Sequence, residues 1–459
     1  MDTTQALAAI WRQAGLPAEA LGQARLGGTD PVLPSSFAVG MAAQSTIAAA
    51  ALAACELGHA RGAERQQVGV DMLPAALECV GWFSVDGKVP DAWDPFSGLY
   101  RCADGAVRVH ANFAHHREGA LRLLGLDPAS AARADAEAAL RTWRAIDFED
   151  AAAAAGLVAT ALRSFDQWDA TPQGRAVASL PLFRIERIGD APPLALPALD
   201  AGARPLSGVR VLDLTRVLAG PVGGRALAAY GADVMLVNSP RLPNIAAIAD
   251  TSRGKLSAHV DLDTLEGREA LSGLARQAHV FVQGYRPGGL AARGFGPEAL
   301  AQARPGIVCV SLTAYGTEGP WAGRRGFDSL VQTAMGFNHA EGEAAGDGKP
   351  RPLPMQILDE ASGYLMAMGA SAALWRQQRE GGSWHVQVSL AQTGHWLRGL
   401  GRVPQGLAAP RPDLEPWLET SASGFGELRA TRHSAQLSRT PAAWPRASMP
   451  PGSHPPVWP

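Results

Sequence analysis

From Val209 onward, short apolar runs alternate with segments of helical spacing. The runs are VRVLDL (209–214), ADVMLV (232–237), HVFVQ (279–283) and IVCVS (307–311). Between them, apolar residues recur at helical intervals over 225–230, 264–277 and 297–304, and a Gly/Pro stretch at 219–224 reads as a loop. Strands that are apolar on both faces and alternate with helices predict a parallel, doubly wound sheet, which holds ligands at the C-terminal ends of its strands.

The first half has a different pattern. Residues 1–30 read as short amphipathic helices, and the alanine-rich run 37–60 reads as one helix apolar all round. A polar turn (61–67) leads to a strand at 68–72, and Asp104-Gly105 joins the strands 98–102 and 107–111 as a hairpin. Helical periodicity follows over 117–125 and 129–164. The Pro/Ala/Gly-rich stretch 188–206 reads as a linker. Residues 404–459 are rich in Pro, Ser and Arg, with Trp417, Trp444 and Trp458 each beside a proline, and read as an extended arm over the surface. The expected fold class is therefore α/β: a Rossmann-like parallel-sheet domain over 205–403, a smaller α+β lobe over 1–200, and the tail. There is also an internal echo. The small residues after Gly363 lead through charges to VQVSL (386–390), much as the run 37–60 leads to VGVDM (68–72).

Composition narrows the function classes. At 459 residues and 47% hydrophobic, the chain can bury more than one core. A net charge of −2 offers no basic face for nucleic acid. Lysine occurs only at 88, 255 and 349, so arginine, which binds phosphates and carboxylates bidentately, carries almost all the positive charge. Cys55, Cys79, Cys102 and Cys309 have no metal or redox spacing and read as thiols of a reducing compartment. MDTTQALAAIWRQAG has no basic start followed by an apolar run, and the stretch 37–55 carries Gln44, Ser45 and Thr46. The expectation is a cytoplasmic protein without a membrane span. His115 and His116, being adjacent, read as a polar surface pair.

No G-x-G-x-x-G follows the first apolar run, where the glycines are Gly220, Gly223 and Gly224. Walker, HExxH and G-x-S-x-G motifs are absent too. The stretch RPLPMQILDEASGYLMAMGASAALW (351–375) places Asp359 and Glu360 where a proline-punctuated loop enters a helix. Asp359 suits two roles there: a helix cap, or a nucleophile whose charge the helix N-terminus favours.

Six stretches in fixed order add to this: LSGVRVLDLTRVLAGP (206–221), YGADVMLVNSP (230–240), SRGKLSAHVDLDTLEGR (252–268), VFVQGYRPGGLAARGFG (280–296), VSLTAYGTEGPWAGRRGFDSLVQ (310–332) and ILDEASGYL (357–365). Together they resemble the family III CoA-transferases, the carnitine/formyl-CoA transferase type that also holds the α-methylacyl-CoA racemases. Residues 68–197, with GLYRCADGAVRVHANF (98–113), resemble the family's C-terminal portion, here placed ahead of the sheet. RATRHSAQLSRTP (429–441) resembles its closing segment.

The resemblance implies that Asp359 attacks an acyl-CoA thioester. Coenzyme A is then a substrate, no metal is needed, and the partners are an acyl-CoA and a carboxylic acid. It implies CoA contacts at Arg216, Val217, Ala219, Lys255, Gly284, Tyr285, Arg293 and Arg325, with Arg286 in the same stretch as Tyr285. It is compatible with a homodimer. Asn238 and Gly284 depart from the family's usual Glu and Asn, and Phe327 stands where racemases carry a proton-transfer histidine, which favours transfer over racemisation. An acyl-CoA racemase or isomerase, or a non-catalytic acyl-CoA-binding member, are the alternative readings. Gly336 or Gly363 is expected to donate to an oxyanion, and Gln332, His339 and Glu341 lie near enough in sequence to face the acyl group. Between Pro31 and Cys55 there is no acid, so the first half is expected to close the pocket without a second nucleophile.

Overall fold

The computed structural model describes residues 1–459. The apolar runs of the second half lie side by side in one seven-stranded sheet. Across it the strands are Lys255–His259, Asp233–Asn238, Arg210–Leu214, Val280–Gln283, Val308–Thr313, Ser383–Ser389 and Phe183–Gly189. The first six are mutually parallel and the last is an antiparallel edge. Counted from Arg210–Leu214, the parallel strands read 3-2-1-4-5-6, an order whose reversal point opens a crevice between the first and fourth strands. The fold is thus a mixed α/β architecture around a mostly parallel sheet.

Several elements differ from expectation. Ala24–Gly27 is a strand within the expected helices of 1–30, and Ala159–Ala161 is a strand within the helical span 129–164. The helix expected from 225 begins at Ala219, so the Gly/Pro stretch is its first turns. Pro221 sits where its missing N–H would have had no helical partner. The close approach of the helix Ile357–Glu380 accounts for Gly223 and Gly363: a Cβ on Gly363 would lie 2.4 Å from the Ala219 carbonyl, and one on Gly223 would lie 2.8 Å from the Gly363 carbonyl. The expected linker starts inside the edge strand Phe183–Gly189, and 190–209 holds no helix or strand, pinned by Arg61 to the carbonyls of Pro197, Pro205 and Ser207.

The C-terminal stretch is more than an extended arm. Leu418–Ser423 and Gly426–Thr431 form a hairpin that pairs with Phe83–Val85, and Gln436–Leu437 pairs with Val68–Asp71. Its short strands carry too few apolar residues to register as a domain, and they depend on partners supplied by the first half.

The long apolar helix of the first half, Val39–Ala60, forms as expected and is buried along almost its whole length. It is long and apolar enough to cross a membrane, yet 94% of its most apolar window is buried inside the protein. It packs along Ile357–Glu380, and the alanines and glycines on both helices permit a short interaxial distance. The main hydrophobic cluster runs from Ala6 to Leu437 and draws on both halves. A smaller one fills the other face of the sheet, and a third lies within 100–159.

The internal echo is structural. Ala24–Gly27 and Val68–Asp71 are parallel neighbours with Gln436–Leu437 antiparallel beside them, just as Val308–Thr313 and Ser383–Ser389 are parallel neighbours beside antiparallel Phe183–Gly189. Each half therefore completes its triad with a strand from the other. In register, Gly69 faces Gln436 and Gln387 faces Arg184. Asp359 precedes Val386 by 27 positions, and Met41 precedes Val68 by the same 27. The first copy thus has a thioether where the second has a carboxylate.

Candidate active site

A cleft of about 320 Å³ opens at the crevice the strand order creates. Its walls are the loop after the first strand (Arg216 to Ala219), the loop after the fourth (Gly284 to Pro287), the end of the fifth (Leu312 to Ala314), and Arg324 to Phe327. The first half adds Phe113, His115 and His116. Asp359 lines the cleft and is 8% exposed, sunk in the wall but reachable.

Asp359 is not the cap of its helix. Asp328, on the helix Asp328–Met335, accepts the N–H groups of Leu358 (2.8 Å) and Asp359 (3.0 Å) on one carboxylate oxygen. Its other oxygen takes the Gln332 amide, and Gln332 also accepts the Leu353 N–H and donates to the Met355 carbonyl. Gln332 thus holds the approach to the nucleophile turn and does not line the cleft. With the cap supplied from elsewhere, the Asp359 side chain has no hydrogen-bond partner in the protein. Burial, and then the charge of Asp328, push its pKa well above the ordinary carboxylate range. Asp328 is also raised, to about 6, by burial working against its hydrogen bonds and the guanidinium of Arg108.

The opposite wall is cationic. Arg216 stacks 5.5 Å over the Phe113 ring, donates to the Pro243 carbonyl, and leaves its Nε buried without a partner. Arg325 reaches the Gly156 carbonyl at 3.2 Å and lies 3.4 Å from His116 Nε2. Arg286 makes no ion pair, and none of these three guanidinium groups meets a carboxylate in the protein. Beside them in the lining lies the N-terminus of the helix Ala219–Ala229, which has no side-chain cap, so its first N–H groups have no helical or side-chain partner. Val217 enters that turn at φ 75°, a strained conformation for a β-branched residue, and costs roughly 1–3 kcal/mol.

Of the residues singled out from sequence, the cleft gathers Asp359, Arg216, Val217, Ala219, Gly284, Tyr285 and Arg325. Lys255 and Arg293 lie elsewhere. Lys255 is fully buried, 2.8 Å from both Asp213 and the Pro221 carbonyl, so it braces the sheet and cannot reach a ligand in the cleft. Arg293 is half exposed and paired with Asp263 at 2.8 Å.

Gly336 and Gly363 are not free oxyanion donors. The Gly336 N–H closes its own helix on Gln332, and Gly363 lies inside a helix. His339 pairs with Glu343 on an exposed helix face. Glu341 accepts from the side chains of Ser35 and Ser36 and from the Ser36 N–H.

The histidine pair, expected at the surface, is split: His115 is exposed and His116 is not. His116 is buried beside Phe113 and Phe327, and burial, then His115 and Arg325, lower its pKa to about 4. Phe327 stacks on buried His110 at 4.0 Å. Sequence reasoning missed Asp328, Arg108 and His116, whose partners stand far off in the chain. No group of three His, Cys, Asp or Glu side chains could hold a metal ion.

Residues 206–403 match the sequence model of CoA-transferase family III. An acyl-CoA transferase of Gibberella moniliformis is 33% identical over 64% of this chain and 55% of its own length. A succinate–glutarate CoA-transferase of Agrobacterium fabrum is 33% identical over 48% of this chain and 62% of its own length. A crystal structure of Rv3272 from M. tuberculosis is 34% identical, covers 43% of this chain and 58% of that one, and superposes with a TM-score of 0.40. The chain thus spans little more than half the length of the relatives it matches.

Proposed function

We propose that this chain is a CoA-transferase of family III that moves CoA from an acyl-CoA thioester to a free carboxylic acid. The observation that carries the reading is Asp359: a carboxylate without a hydrogen-bond partner, on the wall of a cleft where Arg216, Arg286 and Arg325 meet no carboxylate of the protein. A buried, unpaired acid is costly in a fold that needs only a helix cap, and Asp328 already provides one.

In this reading Arg216, Arg286 and Arg325, with the helix N-terminus at Ala219, receive the phosphates of CoA, and the pantetheine arm runs down to Asp359. An oxygen of Asp359 attacks the thioester carbonyl. The C–S bond breaks, leaving a mixed anhydride and CoA thiolate. The thiolate then attacks the aspartyl carbonyl and expels the donor acid as carboxylate. The acceptor carboxylate attacks the aspartyl-CoA thioester and expels CoA thiolate, forming a second mixed anhydride. The thiolate then attacks the acceptor's carbonyl, releasing the new acyl-CoA and the Asp359 carboxylate. The first half closes the cleft through Phe113, His115 and His116. Phe327 offers no proton-transfer group, which supports transfer over α-proton exchange.

The test is exchange between succinyl-CoA or acetyl-CoA and a panel of free acids. Asp359→Asn should keep its fold and its affinity for CoA while losing turnover by several orders of magnitude. Unchanged turnover in that variant would rule the mechanism out.

A further inference from the structure

The two halves cap corresponding helix starts in the same way. In the first half, Asp30 accepts the N–H groups of Gly40 (3.2 Å) and Met41 (2.9 Å). In the second, Asp328 accepts those of Leu358 and Asp359. Gly40 and Met41 stand where Leu358 and Asp359 stand, so an aspartate from outside the helix bonds the same two N–H groups in each copy. The first copy is closely packed beside its cap: a Cβ on Gly40 would lie 2.4 Å from Asp30, 2.6 Å from Val32 and 2.9 Å from Met72. It shows what the cap does alone, which is to fix a helix start.

In the second copy the same cap acquires a chemical consequence. We propose that Asp328 is a positioning residue for Asp359, holding its turn in the cleft wall and, by its charge, setting the pH above which Asp359 is ionised and able to attack. This rests on the reading of Asp359 as the attacking group.

The groups around the pair fit this role. Arg108, buried on the strand Ala106–Val109, lies on the Asp328 side and helps that carboxylate stay charged. Arg216, Tyr285, Arg286, Arg324, Arg325, His115 and His116 line the cleft around Asp359, and none hydrogen-bonds it. Glu360, next on the helix, belongs to the interior charge cluster with Arg225, Asp250 and Glu78. The charge that acts on Asp359 is that of Asp328, whose carboxylate accepts the Asp359 N–H. Like charges at such range raise the second ionisation, and the two carboxylates titrate as a pair.

The experiment is a ¹³C NMR titration of protein labelled at the aspartate carboxyl carbons, with the Asp359 resonance assigned by its loss in Asp359→Asn. It needs no substrate, so its outcome is separable from that of the transfer assay. Asp328→Asn keeps an acceptor for both N–H groups, and Asp328→Ser is a smaller uncharged cap should Gln332 reject the asparagine amide. Either should lower the Asp359 midpoint by about one pH unit or more. Asp30→Asn removes the charge of the matching cap in the first half and should leave that midpoint in place. A midpoint unmoved in a folded Asp328 variant, or moved equally by Asp30→Asn, would overturn the proposal.

Discussion

Asp359 and Glu360 are neighbours on one helix turn with opposite surroundings. Asp359 meets the cleft. Glu360 faces inward, and burial, only partly offset by Arg225, raises its pKa well above the ordinary range. Glu360 does not line the cleft and its Oε2 is buried without a partner, so Glu360→Gln should retain folding and turnover within a few fold, in contrast to Asp359→Asn. A second contrast concerns the arginines. Arg216→Ala should raise KM for the acyl-CoA roughly tenfold or more, the loss of a charged hydrogen bond worth about 1.5–3 kcal/mol. Arg293→Ala should leave KM unchanged, because that side chain is committed to Asp263 outside the cleft. Steady-state kinetics on both variants checks the pair. At this scale the sequence was readable where a motif coincides with a strand end, as at Arg216 and Tyr285. It misled at Lys255, because a family-like stretch does not reveal whether its side chain faces a ligand or Asp213. It was silent on Asp328, whose role depends on N–H groups some thirty positions downstream.

Among the elements, the buried parallel strands were legible because both faces are covered and the runs are nearly all apolar. The edge strand FRIERIG was not, since an edge exposes one side and tolerates Arg184, Glu186 and Arg187. The start of the helix at Ala219 was hidden by glycines that exist for packing, not turning. That packing is testable. Gly363→Ala places a methyl group against the Ala219 carbonyl and the Val222 side chain. It should cost about 1–3 kcal/mol by thermal or denaturant unfolding. Because it pushes apart the helix bearing Asp359 and the helix that starts at Ala219, turnover should fall further than stability alone explains.

Across the whole molecule, a buried charge cluster ties the C-terminal stretch to both halves. Glu78 accepts from Tyr364, from Ser434 through its N–H and hydroxyl, and lies 2.8 Å from His433 Nδ1, with Arg225 at 3.8 Å. Trp444 donates its indole N–H to the Arg225 carbonyl. Burial alone would raise the Glu78 pKa, but His433, Arg225 and Tyr364 together hold it below the ordinary carboxylate range. A carboxylate lowered in the folded state stabilises it above the ordinary value, and that contribution is lost as pH falls toward the folded one. Glu78→Gln should therefore cost about 3–5 kcal/mol at neutral pH, with the difference from the parent protein shrinking as the solution is acidified below pH 4–5. Denaturant unfolding across that range measures it. No composition rule foretells such a cluster, because its members come from every third of the chain. The recurring helix and strand triad leads to the central claim, that only the second half carries a nucleophile. Hydroxylamine added during turnover converts an acylated carboxylate to a hydroxamate, and peptide mass analysis locates it. The account predicts one hydroxamate per chain, on Asp359, and none in Asp359→Asn. A hydroxamate on Glu360 or anywhere in the first half, or turnover that leaves no trapped species, would contradict it.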